Sequence, residues 1–190
     1  IIDLNSFKTI HIPEFKDKYI SSLALYKNEL WVGTDKEGLF YYDLTASKIS
    51  GHYDKSNGLS DDYVTSICAE NEKVYLGTKY WGINIFNKME KVWEVVSDLD
   101  ITSNKVLSIA SDEKLVCVGT EEGLSVFDKE QSMWLNYSID DGKIINRKVS
   151  SVFISGSDIW CGSAGDGIYR LNYLDDIWDT YNVVNSKLLD

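Results

Sequence analysis

The stretch "SNGLSDDYVTSICAENEKVYLGTKYWGI", residues 56–83, reads as a turn, a strand, a second turn and a second strand, with Gly82 opening a third. Asn57-Gly58 and Asp61-Asp62 are turn chemistry, because glycine tolerates positive φ and Asn and Asp side chains bond to nearby backbone. "VTSICA" and "KVYLGT" are short runs rich in β-branched and aromatic residues, which read as strands. No apolar stripe at 3.6-residue spacing calls for a helix. The stretch is decisive because it recurs. "ISSLALYKNELWVGTDKEGLFYYD" starts at Ile20, "VTSICAENEKVYLGTKYWGINIFN" at Val64, "VLSIASDEKLVCVGTEEGLSVFD" at Val106 and "VSSVFISGSDIWCGSAGDGIYRLN" at Val149. Gly33, Gly77, Gly119 and Gly162 stand 44, 42 and 43 residues apart.

Each unit holds four short strands, here lettered a to d. Strand a carries Ser22, Ser66, Ser108 or Ser151, strand b ends in Gly-Thr or Gly-Ser, and strand c opens at Gly38, Gly82, Gly123 or Gly167. Strand d carries Trp93, Trp134 or Trp178 in the last three units. Four antiparallel strands at this period are the signature of a β-propeller blade. A sandwich would not need near-identical units in register. The expected fold is therefore all-β, a β-propeller of four four-stranded blades of about 43 residues. The blades span residues 20–63, 64–105, 106–148 and 149–190, after a segment 1–19 whose "FKTI" matches an orphan outer strand of a preceding blade. Four blades plus one strand suggest part of a larger ring.

Strand c shows why blades stack. Leu39/Ile83/Leu124/Ile168 and Tyr41/Ile85/Val126/Arg170 share one face, and Tyr42/Phe86/Phe127/Leu171 lie on the other. A blade covered on both sides should be apolar on both. Arg170 breaks the pattern, so either it is paired or blade 4 faces an unusual neighbour.

Residues 56–83 also resemble the repeat of the two-component regulator propellers. The matching elements are Asn57-Gly58-Leu59, Val64-Thr65-Ser66-Ile67, Tyr75-Leu76-Gly77-Thr78 and Gly82-Ile83. They recur at Trp31-Val32-Gly33-Thr34, Trp160-Cys161-Gly162-Ser163 and, more loosely, Cys117-Val118-Gly119-Thr120, over about residues 20–181. The resemblance implies a periplasmic or extracellular ligand-sensing propeller of a bacterial signalling protein. In that family such domains often precede a membrane span and a histidine kinase.

Composition narrows the function. The formal charge is −11, from 19 Lys+Arg and 30 Asp+Glu, and repels nucleic acid and anionic membrane surfaces. No run approaches the roughly 18 apolar residues of a membrane span. Cys68, Cys117 and Cys161 each sit in an apolar strand and read as core thiols, neither metal ligands nor disulfide partners. His11 and His52 fall on outer strands and read as surface or packing residues. The acid pairs Asp61-Asp62, Glu121-Glu122, Asp140-Asp141 and Asp175-Asp176 read as solvated loops, with neither glycosidase nor EF-hand spacing. No catalytic residue, cofactor or metal is expected.

Binding surface is the stronger expectation. In a propeller the b–c and d–a loops open on one face. The candidates there are Asp35, Lys36, Tyr63, Lys79, Tyr80, Trp81, Glu121, Glu122, Arg147 and Asp166. Tyr80 and Trp81 stand out, as either a hydrophobic cover or a stacking platform. The leading reading is a recognition module for a small molecule, glycan or peptide. The alternatives are an interaction scaffold that meets a protein partner or further blades, and a polysaccharide lyase or hydrolase using Glu122 and Asp166.

Overall fold

The computed structural model describes residues 2–3, 8–9, 11–140, 142–144 and 148–188. Its N-terminal strands, β1 (Ile2–Asp3) and β2 (Lys8–Thr9), pair with each other, so the expected orphan strand has a partner. Phe7 lies outside the described residues. A 3-10 turn, Pro13–Phe15, follows. Four antiparallel meanders make up the rest. Blade 1 is β3 (Ile20–Tyr26), β4 (Glu29–Thr34), β5 (Leu39–Asp43) and β6 (Lys48–Tyr53). Blade 2 is β7 (Val64–Ala69), β8 (Lys73–Thr78), β9 (Ile83–Asn87) and β10 (Val92–Val96). Blade 3 is β11 (Val106–Ser111), β12 (Leu115–Thr120), β13 (Leu124–Asp128) and β14 (Met133–Tyr137). Blade 4 is β15 (Val149–Ser155), β16 (Asp158–Ser163), β17 (Ile168–Asn172) and β18 (Ile177–Tyr181). These are the strands expected from the repeat, and the chain is an all-β propeller array.

The glycine that ends strand b explains the period. A Cβ on Gly33 would lie 2.4 Å from Val64 Cγ1, and one on Gly77 2.5 Å from Val106 Cγ1. On Gly119 it would lie 2.6 Å from the Val149 carbonyl oxygen. Each glycine is thus a socket for the first residue of the next blade. A register irregularity follows that residue in every strand a, between Val64 and Ser66 for example. A bulge of this kind re-aims a side chain. Here it turns the serine toward the neighbour: Ser66 Oγ accepts the Ile109 N–H at 2.9 Å, and Ser108 Oγ accepts the Val152 N–H at 3.2 Å.

Between blades the core is apolar. Trp31 and Tyr41 from blade 1 meet Ile67, Val74, Leu76 and Phe86 from blade 2. Tyr75 and Ile85 meet Ile109, Val116 and Val118, and Cys117 and Val126 meet Ile159 and Leu171. The d–a loop adds one plug per interface, Leu59, Ile101 or Ile144, each buried. This explains Asn57-Gly58-Leu59. Asn57 Oδ1 accepts the Asp54 N–H at 2.8 Å, and Gly58, at φ 141°, lies where a Cβ would fall 2.4 Å from Trp93. The loop can then drop Leu59 into the core. At the far rim, the Lys88 ammonium donates to the Glu29 carboxylate and, at 2.5 Å, to the Glu70 carbonyl. Lys129 repeats this with the Glu70 carboxylate at 2.7 Å and the Asp112 carbonyl at 2.5 Å.

One expectation needs correcting. The faces between blades are not wholly apolar, because Asn84 and Ser125 are fully buried on strand c. Each satisfies a d–a loop: Asn84 Oδ1 accepts the Ser60 N–H at 2.9 Å, and Ser125 Oγ accepts the Thr102 N–H at 2.9 Å. Polar residues are tolerated there because they replace water for a loop that must enter the core. Arg170 resolves as paired within its own blade, at 2.7 Å from Asp179 and 3.8 Å from Asp158.

Replacing the plug by Leu59→Ala should cost about 2–5 kcal/mol in denaturant unfolding. Leu99→Ala, in the next d–a loop but 91% exposed, should change stability by under about 0.5 kcal/mol. Burial raises the thiol pKa of Cys161 to about 12 and that of Cys117 well above the usual range. A thiol reagent should therefore leave both unreacted in the native protein and label both once it is unfolded.

Candidate binding site

The b–c loops are built from the Gly-Thr or Gly-Ser pair that ends strand b. Thr34 and Thr78 each donate Oγ1–H to the carbonyl of the glycine opening strand c, at 2.8 Å. The same oxygens accept the Glu37 N–H at 3.0 Å and the Trp81 N–H at 3.1 Å. Thr120 holds Glu122, and Ser163 holds Asp166, in the same way at 3.0 Å. The segment that leads into each blade, just ahead of strand a, then stitches that blade's hairpin down through its backbone. Asp35 donates to the Tyr19 carbonyl at 2.9 Å, Lys79 to Tyr63 at 3.1 Å, Glu121 to Lys105 at 3.1 Å and Ala164 to Lys148 at 3.2 Å. Both loop sets therefore share one face, as a meander requires.

At the junction of blades 1, 2 and 3 this face carries aromatic and cationic groups. Tyr63 and Tyr80 pack edge to face, ring centroids 5.9 Å apart. The Lys79 ammonium lies 5.1 Å from the Tyr63 centroid and 5.3 Å from that of Tyr80. Its pKa is raised, first by hydrogen bonding to the Tyr80 hydroxyl, with a smaller contribution from the Asp35 carboxylate. Among the described residues no carboxylate reaches Lys79 at ion-pair distance. Lys105 and Glu121, by contrast, are paired at 2.8 Å, which raises the lysine and lowers the glutamate. These groups border a cavity of about 320 Å³ lined by Thr65, Lys79, Tyr80, Lys105, Val106, Leu107 and Glu121. The Thr65 Oγ1 in its wall is buried and has no hydrogen-bond partner.

Asp61 positions the aromatic pair. Its Oδ1 accepts the Tyr63 N–H at 3.2 Å and its Oδ2 accepts the Tyr80 N–H at 3.1 Å. The residue is buried, so reading Asp61-Asp62 as a solvated acid pair is wrong. Asp62 is also engaged: its carboxylate accepts the Lys55 N–H at 2.8 Å and its carbonyl the Gly38 N–H at 2.9 Å. Both acids serve as backbone acceptors where two loops cross, a role that adjacency in sequence does not reveal.

The structure sorts the ten sequence candidates. Tyr63, Lys79, Tyr80 and Glu121 come together, and Asp35 joins them through an antiparallel bridge to Tyr63. Lys36 is exposed on the blade 1 loop, with its N–H 3.3 Å from the Asp62 carbonyl. Glu122 sits at the tip of the blade 3 loop. Asp166 borders a separate groove of about 370 Å³ on blade 4, with Gly162, Ile168 and Leu188. Arg147 lies outside the described residues. Tyr80 and Trp81 are 48% and 56% exposed. They also separate, because Tyr80 borders the cavity and Trp81 does not. Sequence reasoning missed Asp61 and Thr65. No residue-type signal marked either one.

Comparison with known proteins places the fold. The chain aligns with the extracellular domain of B. thetaiotaomicron BT4673 at TM-score 0.74 and 17% identity, over 87% of this chain and 24% of that one. It aligns with the extracellular domain of the hybrid two component system BT3049 from the same organism at TM-score 0.75 and 17% identity, over 93% and 26%. A computationally designed protein, Ika4, aligns at TM-score 0.60 and 14% identity, over 88% and 92%. The chain thus spans about a quarter of the length of the two extracellular domains. No protein-family profile matches it, and no curated protein matches it in sequence. At these identities the likeness to those extracellular domains is one of fold.

Proposed function

We propose that the chain is a non-catalytic recognition module of a bacterial two-component-type sensor, outside the cytoplasm, with its ligand held at the Tyr63–Lys79–Tyr80 junction. One observation carries the reading. In a protein of net charge −11, an ammonium that no carboxylate of the described residues reaches at ion-pair distance is held over two tyrosine rings beside a 320 Å³ cavity. Rings offer contact area at low entropic cost, and the Lys79 ammonium offers a polar group beside them. A small molecule, glycan or peptide with an acceptor group beside an apolar or ring face fits this chemistry. The fold likeness to sensor extracellular domains supports the role and the compartment. Glu121 is committed to Lys105 and Asp61 to backbone amides, and Asp35 acts on Lys79 only from beyond ion-pair distance, which favours recognition over acid–base chemistry.

A ligand that binds only the folded state raises the melting temperature. A thermal-shift panel of small molecules, glycans and peptides, followed by calorimetry on the hits, should find one that stabilises the chain. Tyr80→Ala and Lys79→Met should each weaken that hit by roughly tenfold or more with the unliganded melting temperature unchanged, since each good contact is worth about 1–2 kcal/mol. Trp81→Ala should leave affinity within about twofold. Equal losses from Trp81→Ala and Tyr80→Ala, or a panel without a hit, would remove this site.

A further inference from the structure

The a–b and c–d turns lie on the face opposite the Tyr63–Lys79–Tyr80 junction, and lysines close two of the three blade interfaces there. In blades 2, 3 and 4 the residue after strand c is fixed by one backbone bond to the a–b turn. The Lys88 N–H donates to the Glu72 carbonyl at 2.8 Å, Lys129 to Lys114 at 2.9 Å and Tyr173 to Ser157 at 2.9 Å. The three side chains therefore start from equivalent places. Lys88 reaches back to the Glu29 carboxylate of blade 1 and donates to the Glu70 carbonyl at 2.5 Å. Its ammonium lies 4.8 Å from the Tyr26 ring centroid. Lys129 reaches back to the Glu70 carboxylate of blade 2 at 2.7 Å and donates to the Asp112 carbonyl at 2.5 Å. Its ammonium lies 5.4 Å from the Tyr75 ring centroid. Twice, then, an ammonium sits between a carboxylate of the preceding blade and the carbonyl at the end of its own strand a.

Between blades 3 and 4 the acceptors recur without a lysine. Glu70, Asp112 and Ser155 each stand six residues after the valine that heads strand a, so Asp112 offers the carboxylate and Ser155 the carbonyl. Tyr173 takes the lysine's position but turns its hydroxyl to Asp128, at 2.5 Å. Beside it lies a cavity of about 580 Å³. Leu115, Tyr173 and Leu174 give it apolar walls, and Asp112, Glu113 and Glu130 border it with carboxylates. Lys114, exposed, is the one cation among its lining residues. Asp112 Oδ1 accepts the Lys114 and Leu115 N–H groups, each at 2.8 Å, which fixes the side chain at the turn. Among the described residues no lysine or arginine reaches the Asp112 carboxylate at ion-pair distance.

We propose that this cavity is a second ligand site and takes a primary alkylammonium, bound where Lys88 and Lys129 lie in the two sister interfaces. The ammonium sits between the Asp112 carboxylate and the Ser155 carbonyl, and the alkyl chain lies against Leu115 and Leu174. Hydrogen bonds from an ammonium to a carboxylate are of the stronger, charge-assisted kind. Apolar walls with a few polar groups suit a small ligand. Carboxylates by themselves would draw any cation. The two lysine-filled interfaces are what select an ammonium on an alkyl stem. A free amine and the lysine side chain of a peptide both present that group.

The probe is n-butylamine, the lysine side chain without its backbone, which is protonated at neutral pH. At millimolar concentration, with pH and ionic strength held constant, it should shift the amide NMR resonances of Asp112, Leu115, Gly156 and Leu174 saturably. Uncharged n-butanol should not. Asp112→Asn, which keeps an acceptor for the turn amides, should weaken butylamine binding by roughly tenfold, the loss of one charge-assisted contact. Tyr173→Lys supplies the ammonium from the chain itself and should abolish the shifts with the far-ultraviolet circular dichroism unchanged. Should that variant fail to fold, Asp112→Asn decides alone. Nα-acetyl-lysine amide in the same titration separates the sources: tighter binding than butylamine marks a peptide lysine, and weaker binding a free amine. Equal shifts with n-butanol, no shifts, shifts confined to other residues, or shifts undiminished in either folded variant would overturn the proposal.

Discussion

Everything in this structure depends on how one blade sits against the next. A valine or isoleucine at the head of strand a needs room that only glycine leaves at the end of strand b, and Gly33, Gly77 and Gly119 leave it. The same contact brings the apolar rows together and, at Ser66 and Ser108, aims the bulged serine at a neighbouring amide. Sheets of four short strands bury little by themselves. Stacking neighbours supplies the core.

A consequence is that the loops cannot be solvated spacers. Each d–a loop crosses from the outer strand of one blade to the inner strand of the next and carries backbone groups over a closed interface. Those groups find partners in Asn84, Ser125, Asp61 and Asp62. Buried polar groups of this sort are stable because they are matched. They also fix the loop tips, which is why the rings of Tyr63 and Tyr80 and the Lys79 ammonium hold a defined arrangement.

The end blades show the rule by departing from it. Arg170 stands where the other blades place Tyr41, Ile85 and Val126, and it finds its counter-charges, Asp179 and Asp158, in its own sheet. Ile12 and Phe15 pack on Leu30, Val32, Phe40 and Tyr42 of blade 1, where the interior interfaces have a neighbouring blade. Tyr173, where Lys88 and Lys129 tie neighbouring blades, instead donates its hydroxyl to Asp128 at 2.5 Å.

The sequence by itself determined the blades. The glycine period, the two-residue alternation and the Asn/Asp/Gly turns are local signals, and each strand lies where they place it. It also determined that the aromatic pair stands apart from the repeat core, because its siblings in other blades are acidic or small. Only the tertiary structure decided which loop residues act together. Asp61 reads as one of many surface acids until the hairpin of blade 2 crosses over it, and Lys79 reads as a solvated cation until two rings from different loops flank it. Those contacts join residues 16 to 19 positions apart across two blades. Local patterning sets each strand, but the twist and stacking of whole sheets set which loop tips converge.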